Sequence, residues 1–216
     1  MPNSLQTQLD QITANTRELV QPDRLAITDN AVHDLLATGI EDTILPVGAT
    51  APSFALQDAI NKKIVRSDDL LAIGPLVVKF FRGRWCPYCM TELEAWQAAF
   101  PALRARGALL VAISPQLPRQ NDFTVQRHSL TFPILTDAGA ALATDFGIAY
   151  TVPEPTRLHY RSILINIPFI NGDETWHLPL PATFVIKQDN TIAFAEAHAD
   201  HRVRPDPMDV VAVLNT

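Results

Sequence analysis

Short apolar runs that alternate with helical patterns are the feature of this sequence that most constrains its fold. Three such runs are rich in apolar and β-branched residues: 75–81, 108–114 and 132–137. Runs of this kind are typical of strands buried on both faces of a sheet. A helical pattern follows each run, the longest over residues 87–107. The alternation predicts an α/β fold with a central mixed sheet flanked by helices.

Two further helices are predicted before this core. Over residues 4–20 and 24–38 the apolar residues recur near one helical face. Asn3 or Ser4 can begin the first helix as N-cap, and Gly39 can end the second in the left-handed conformation. We therefore predict an N-terminal helical extension over residues 1–44, followed by a core domain over 45–216.

The C-terminal part is less regular. Residues 149–180 show no clean period beyond a possible helical turn at 154–160, and we interpret them as an insertion. Residues 181–197 carry two strand patterns joined by a turn, which predicts an antiparallel hairpin. A closing helix is predicted over 205–215, with Asp206 as its N-cap.

Composition excludes several classes of partner. The chain has 17 Lys and Arg residues against 23 Asp and Glu, a net charge of −6, which argues against nucleic acid as a partner because phosphate binding draws on clustered basic residues. No apolar run approaches the roughly 20 residues of a membrane span. The N-terminus lacks the pattern of a secretory signal, so the cytoplasm is the expected location.

Both cysteines lie in one C-x-x-C motif, Cys86-Pro87-Tyr88-Cys89. Cys86 follows a buried strand and precedes a helix, so its sulfur is expected at the positive end of the helix dipole, where a thiolate is favoured. Arg82 and Arg84 add positive potential nearby. We predict that Cys86 is the exposed nucleophile of a redox pair, with Trp85 shielding the sulfur or contacting a partner and Pro87 opening the helix.

Cys89 is the predicted resolving thiol. It lies one helical turn after Cys86, within reach of a disulfide, on an apolar stripe where burial works against ionisation. One alternative is a pair of incidental buried cysteines. Another is zinc, which needs two further ligands, and only His198 and His201 are closely spaced. We predict neither a metal nor a cofactor.

Two C-terminal features complete the candidate site. Pro181 opens a strand expected beside the cysteine strand, and a cis Leu180–Pro181 bond would aim the Leu180 backbone at the sulfurs, although a trans bond is the more common state. The loop from His198 to Arg204 flanks either the active site or a dimer contact, or it is an ordinary surface loop. A homodimer is therefore left open.

Three motifs in order resemble the peroxiredoxin-like branch of the alkyl hydroperoxide reductase/thiol-specific antioxidant (AhpC/TSA) superfamily. They are GATAPSFAL at residues 48–56, VVKFFRGRWCPYC ending at Cys89, and LPLPATFVIKQDNTIAF in the predicted hairpin. The resemblance covers about residues 45–215 and implies a thioredoxin-like fold, with Cys86 at the peroxidatic and Cys89 at the resolving position. Peroxiredoxins of the main kind carry a threonine or serine and a proline where this chain has Gly83 and Lys79.

The resemblance implies a thiol oxidoreductase, and three functions stay open. As a peroxidase, Cys86 would reduce hydrogen peroxide or an organic hydroperoxide, and thioredoxin or glutaredoxin with glutathione would restore the dithiol. As a dithiol–disulfide oxidoreductase, Cys86 would attack a disulfide substrate. A redox-responsive binding protein would close the disulfide without turnover. The overall layout favours the peroxidase.

Overall fold

The computed structural model describes residues 4–214, and a mixed sheet is the centre of that part of the chain. The strands in chain order are β1 (Ala55–Asp58), β2 (Ile64–Arg66), β3 (Leu76–Phe80), β4 (Leu109–Ser114), β5 (Ile134–Thr136), β6 (Ala149–Thr151), β7 (His177–Pro179), β8 (Ala182–Ile186) and β9 (Ile192–Ala197). The helices are α1 (Leu5–Leu19), α2 (Pro22–Ala37), α3 (Ser67–Leu71), α4 (Pro87–Ala105), α5 (Pro118–His128), α6 (Ala141–Asp145), α7 (Glu154–Ser162), α8 (Ile167–Asn171) and α9 (Pro207–Val213).

The main sheet has the strand order β2-β1-β5-β4-β3-β8-β9. β3 pairs in parallel with β4, and β4 pairs in parallel with β5, as expected for strands joined by helical crossovers. β8 pairs antiparallel with both β3 and β9. The predicted α/β fold with a mixed central sheet is confirmed, as is the hairpin of β8 and β9.

The side chains of strand β3 alternate between the two faces of the sheet, and those on one face lie against α4, the helix that contains Cys89. Its alternate residues Leu76, Val78 and Phe80 join the apolar cluster on one side of the sheet, whereas Val77 joins the cluster that contains α4. Lys79 lies between Val78 and Phe80 and therefore shares the face of Val77. A lysine is thus buried beneath α4, on the strand that leads into the cysteine motif.

The two N-terminal helices form separate contacts with the core. α1 begins at the predicted cap Ser4, whose side chain accepts a hydrogen bond from the N–H of Thr7, whereas Asn3 lies outside the described residues. α1 packs against α4 through Leu5 and Leu9. α2 has no fully buried residue and contacts α7. Helices α1 and α2 are called the helical cap below.

Residues 149–180 form a unit with its own small core. β6 and β7 pair antiparallel, and α7 and α8 lie between them in sequence. Its apolar cluster consists of the buried residues Val152, Tyr160, Ile167, Trp176 and Leu178. The segment was interpreted as an insertion with a possible helical turn at 154–160, and α7 confirms that turn. The segment forms one wall of the candidate site described below.

The ends of the chain agree with the sequence where they are described. Asp206 is the N-cap of α9 and accepts a hydrogen bond from the N–H of Met208. The predicted end of this helix at residue 215 lies outside the described residues. Within residues 4–214, none of the helices has the length and apolar content to cross a membrane.

Candidate active site

A tight turn between β3 and α4 places Cys86. The N–H of Cys86 donates to the carbonyl of Gly83 at 3.1 Å, and Cys86 then becomes the N-cap of α4 with Pro87 at the first helical position. Gly83 has a φ of +153°, and a Cβ there would lie 2.5 Å from Trp85 Nε1. This turn has no room for the threonine or serine of the main peroxiredoxins, because only glycine fits both the backbone and the tryptophan.

Both thiols are free and fully buried, so the prediction that Cys86 is exposed is wrong. Burial disfavours a thiolate, but the hydrogen bond from Cys89 and the charge of Arg82 outweigh it and hold the pKa of Cys86 well below its ordinary value. Burial and the same hydrogen bond raise the pKa of the Cys89 thiol. Cys86 is therefore the ionised partner, in the direction that the sequence predicts.

Arg82 is the cation that faces the sulfur. Its Nη2 donates to Cys86 Sγ at 3.1 Å, and its guanidinium lies 5.0 Å from the centre of the Trp85 ring. Burial works against the charge of Arg82, but the neighbouring Cys86 thiolate raises the pKa of the guanidinium well above its ordinary value. A permanent positive charge thus lies in contact with the nucleophile.

Arg84 does not reach the sulfur, so Arg82 is the one of the two candidate arginines that contacts it. Its Nε donates to Gln120 Oε1 at 2.7 Å, and its guanidinium stacks on the ring of Phe123. The N–H of Arg84 donates to Gln116 Oε1 at 2.7 Å. These contacts with α5 and the loop before it hold the Arg84 side chain away from the Cys86 sulfur.

Trp85 and Pro87 both line the cavity that contains Cys86. The Trp85 ring packs at 5.1 Å from the ring of Tyr160 in α7. Tyr160 was missed in the sequence because its segment has no readable period. The shielding role predicted for Trp85 therefore depends on a partner from residues 149–180.

The Leu180–Pro181 bond is trans, the more common of the two states considered for it, as is every peptide bond within residues 4–214. Leu180 is buried, and its N–H donates to the carbonyl of Ile148 at 2.7 Å. The backbone N–H of Leu180 is therefore used within the fold and is unavailable to a ligand at the sulfurs.

A buried ion cluster, which was not predicted from the sequence, lies beneath helix α4. Lys79 Nζ lies 2.6 Å from Glu92 Oε1, and Arg204 Nε lies 2.8 Å from Glu92 Oε2, with all three side chains inaccessible to solvent. Burial lowers the pKa of Lys79, against the opposing charge of Glu92. A lysine within a buried strand and a glutamate on an apolar helical stripe were signals that could have predicted this pair.

The loop from His198 to Arg204 flanks the candidate active site, which is one of the alternatives that the sequence left open for it. The His201 ring packs edge-on against Tyr88 at 5.3 Å. Burial, with the charges of Arg82 and Arg204, holds the pKa of His201 well below its ordinary value, so the imidazole is neutral at neutral pH. The interpretation as an ordinary surface loop is wrong.

The helical cap closes the site from above. The cysteine cavity, of about 190 Å³, is bounded by Cys86 and Arg82 below and by Thr13, Thr16 and Thr28 of the cap. Thr13 Oγ1 lies 3.0 Å from the Tyr88 hydroxyl, which joins α1 to the cysteine motif. Within residues 4–214, no group of three or more His, Cys, Asp or Glu side chains could hold a metal ion.

Comparison with known proteins places these residues among thiol-dependent enzymes. The family model described as AhpC/TSA family matches residues 47–195, well over half of the chain. The thiol-disulfide oxidoreductase ResA of Bacillus cereus is 27% identical over 162 residues, which cover 70% of this chain and 86% of that protein. ResA of Geobacillus thermodenitrificans is 30% identical over 117 residues, 54% of this chain, and the match spans only 64% of that relative's length.

Among solved structures, two mycobacterial proteins share the fold. Peroxidoxin BcpB from Mycobacterium tuberculosis has a TM-score of 0.62 at 20% identity, covering 79% of this chain and 97% of that one. AhpC from the same organism has a TM-score of 0.59 at 19% identity, with 80% and 92% covered. The thioredoxin-like fold expected from the sequence is confirmed.

Proposed function

The chain belongs to the AhpC/TSA family and is a thiol oxidoreductase, and on this premise we propose that it is a thiol-dependent peroxidase. The observation that carries the proposal is the position of Cys86 at the wall of a small cavity, with Arg82 Nη2 at 3.1 Å from its sulfur. A thiolate is the nucleophile that attacks a peroxide. A cavity of about 190 Å³ has ample room for hydrogen peroxide, since a water molecule occupies about 30 Å³ of liquid.

The proposed reaction uses both cysteines. The Cys86 thiolate attacks one oxygen of the hydroperoxide, the O–O bond breaks, and an alcohol or water leaves as Cys86 becomes a sulfenic acid. Arg82 stabilises the negative charge that develops on the leaving oxygen. The Cys89 thiol then attacks the sulfenic sulfur, so that a Cys86–Cys89 disulfide forms and water is released. The peroxide is reduced by two electrons, which come from the two thiols.

Burial supports a small oxidant over a protein disulfide. Attack on a disulfide requires the Cys86 sulfur to approach the target sulfur in line, through a mixed disulfide. The Cys86 side chain has 0% of its surface exposed, and the helical cap lies over it. In this conformation neither oxidant touches the sulfur, but a small hydroperoxide in the cavity beside Arg82 requires a smaller opening than a folded protein, which would have to displace the helical cap.

A dithiol–disulfide oxidoreductase is the second candidate. The similarity to the two ResA proteins, both named as thiol-disulfide oxidoreductases, favours it, as does a resolving cysteine only one turn from the nucleophile. In this function, displacement of the helical cap would have to precede attack by Cys86. We propose thioredoxin, glutaredoxin or glutathione as the reductant in the peroxidase cycle, and the cytoplasm as its location.

Rapid-mixing kinetics with hydrogen peroxide test the proposal. The reduced protein should lose its thiols rapidly, and Cys89→Ser should stop at a sulfenic acid that dimedone traps as a single adduct on Cys86. Cys86→Ser is the matched control and should form no adduct. An insulin-reduction assay on the same sample tests the second candidate. Slow loss of thiol with peroxide, together with rapid insulin reduction, would reject the peroxidase in favour of the reductase.

A further inference from the structure

The charge of Arg82 is balanced by a sulfur. The Arg82 residue is 5% exposed, and its Nη2 lies 3.1 Å from Cys86 Sγ. Among the residues that the structure describes, no Asp or Glu side chain forms a salt bridge with this guanidinium. Burial raises the pKa values of its neighbours Tyr150 and Tyr160, so both hydroxyls are neutral. The Cys86 thiolate is therefore the counter-ion of Arg82 in the reduced protein.

Formation of the disulfide removes that counter-ion. The Cys86 thiolate and the Cys89 thiol together lose two electrons and one proton as the S–S bond forms, and the two electrons pass to the hydroperoxide that acts as oxidant. The Arg82 guanidinium keeps its charge, because arginine is not deprotonated in proteins. A buried charge without a partner is strongly unfavourable. The oxidised site therefore contains a buried cation that has lost its counter-ion.

The ion cluster beneath α4 does not supply a replacement. Its carboxylate, Glu92, already lies between Lys79 and Arg204, at 2.6 and 2.8 Å. Burial, with the charges of Arg82 and Arg204, lowers the pKa of His201, so this ring is neutral as well. Once the thiolate is lost, the buried groups around the two cysteines carry a surplus of positive charge.

A second cavity, beside the cysteine cavity, has room for a small anion. It has a volume of about 160 Å³ and is called the α2 cavity here, and Arg82 lines both cavities. Two of its lining residues, Arg82 and Thr156, are each 5% exposed, and Arg82 Nε and Thr156 Oγ1 make no hydrogen bond within the protein. Buried polar atoms are rarely left unsatisfied. An arginine nitrogen can only donate and a threonine hydroxyl can donate, so the matching ligand group is an acceptor.

The remaining walls of the α2 cavity select the rest of the ligand. Its apolar walls are formed by Ala31, Val32, Leu35, Val152 and Pro153. Asp34 also lines the cavity, but this residue is exposed, so solvent and salt screen its charge. Cavities that bind small molecules are mostly apolar with a few placed polar groups. One negative charge with a short hydrocarbon chain matches these walls.

From these observations we propose that the α2 cavity binds a short-chain monocarboxylate when Cys86 and Cys89 form a disulfide. The carboxylate lies on the cavity side of Arg82, beside Thr156, and not between the guanidinium and the sulfur. The inference rests on the disulfide of the proposed function and holds for the peroxidase and the reductase alike. In the reduced protein the thiolate neutralises Arg82, so the carboxylate binds more weakly. The ligand therefore stabilises the disulfide and lowers its reduction potential.

Propionate is the probe for this site, and propionamide, which has nearly the same shape and no charge, is its matched control. Calorimetric titration should show propionate binding to the oxidised protein at least about tenfold more tightly than to the reduced protein, the factor that corresponds to one pKa unit. Propionamide should not distinguish the two forms. Equal affinity of propionate for both forms would overturn the inference. Absence of binding to the oxidised form would overturn it as well, since water would then be sufficient to solvate Arg82.

Redox titration gives an independent readout. A ligand that binds the disulfide form lowers the reduction potential by about 30 mV for each tenfold rise in its concentration, in the range where the reduced form does not yet bind. Propionate should produce this shift at constant ionic strength, and propionamide should not. A potential that does not respond to propionate would contradict the inference.

Two substitutions locate the ligand in the α2 cavity. Thr156→Val removes the hydroxyl at nearly constant volume and should weaken propionate binding to the oxidised form about tenfold, as expected for a hydrogen bond to a charged group. Thr144→Val, at an exposed position outside both cavities, is its matched control. Ala31→Phe fills the cavity and should abolish binding, whereas Ala37→Phe, on an exposed position of the same helix, should not. Unchanged affinity in Thr156→Val and Ala31→Phe, each shown to be folded by circular dichroism, would overturn the inference.

Thiol counting separates this inference from the proposed function. Hydrogen peroxide should remove both free thiols, and the mass of the chain should fall by two hydrogen atoms. If neither hydrogen peroxide nor the thiol oxidant diamide forms the disulfide within one chain, the proposed redox pair is overturned, and this inference with it. If the disulfide forms and propionate does not bind, this inference alone is overturned and the proposed function stands.

Discussion

Replacement of Arg82 by methionine should raise the pKa of Cys86. Methionine keeps much of the apolar volume of the arginine stem and removes the charge that lies 3.1 Å from the sulfur. Two unit charges 4 Å apart interact with about 4 kcal/mol at an effective dielectric constant near 20. One pKa unit corresponds to about 1.4 kcal/mol, so an interaction of this size corresponds to a shift of about 3 units. Opposite charges at this range commonly shift a pKa by about 1–3 units, which is the rise expected here.

The assay is the pH dependence of the thiolate absorbance in the Cys89→Ser background, where Cys86 is the remaining thiol. A depressed pKa keeps the thiolate at neutral pH and loses it only as the pH falls through the folded-state value. The stability that the thiolate contributes disappears over the same window. In Arg82→Met the loss moves to higher pH, and reaction with peroxide at neutral pH should fall by more than the thiolate fraction, because Arg82 is also proposed to stabilise the charge on the leaving oxygen.

Arg84→Met is the matched control for this prediction. The sequence alone makes the two arginines equivalent, but Arg84 contacts Gln120 and Phe123 and not the sulfur. Its replacement should leave the titration of Cys86 where it is. Equal shifts in both variants, or no shift in Arg82→Met, would refute the assignment of Arg82 as the cation that stabilises the thiolate.

Three further substitutions test other parts of the site. Cys89→Ala removes the thiol that donates to Cys86 and should raise the pKa of Cys86 in the same titration; a fall would contradict that hydrogen bond. Glu92→Gln leaves two buried cations without their counter-ion and should lower the free energy of unfolding by about 3–5 kcal/mol in urea denaturation, whereas Lys79→Met should partly rescue it. Gly83→Ala should cost about 1–3 kcal/mol in the same measurement, because its backbone and the Trp85 ring both exclude a Cβ; a neutral effect would show that the turn relaxes.

The local features of this chain could be predicted because they depend on neighbours in sequence. The β-branched run of β3 and Pro87 at the first helical position are sufficient to place Cys86 at the start of a helix. Ser4 and Asp206 are caps for the same reason, since a short side chain reaches the free N–H groups of its own first turn. The position of Cys86 at the start of the helix is part of the reason why its pKa is lowered while that of Cys89 is raised.

The burial of Cys86 and the choice between two arginines could not be predicted because both depend on distant contacts. The helical cap begins about 80 residues before the sulfur that it covers, and Tyr160 lies more than 70 residues after it. Arg82 and Arg84 are two residues apart. In an extended chain successive side chains point in opposite directions, so the sequence alone places both arginines on the same side. The turn at Gly83 removes that equivalence: its φ is +153°, and a Cβ at this position would clash with Trp85.

The covering of Cys86 also constrains how the disulfide is recycled. After oxidation the thiolate charge opposite Arg82 is gone, and thiol exchange requires an incoming sulfur to reach Cys86 or Cys89 in line. Both are buried under the helical cap, whose α2 has no fully buried residue and whose α1 is joined to the cysteine motif through Thr13 and Tyr88. The weakly buried α2 is the part of the cap that costs least to displace, because little apolar surface is exposed when it moves. In the proposed peroxidase cycle, oxidation by a small peroxide and reduction by a larger thiol protein would therefore use the same sulfur in two conformations of the cap.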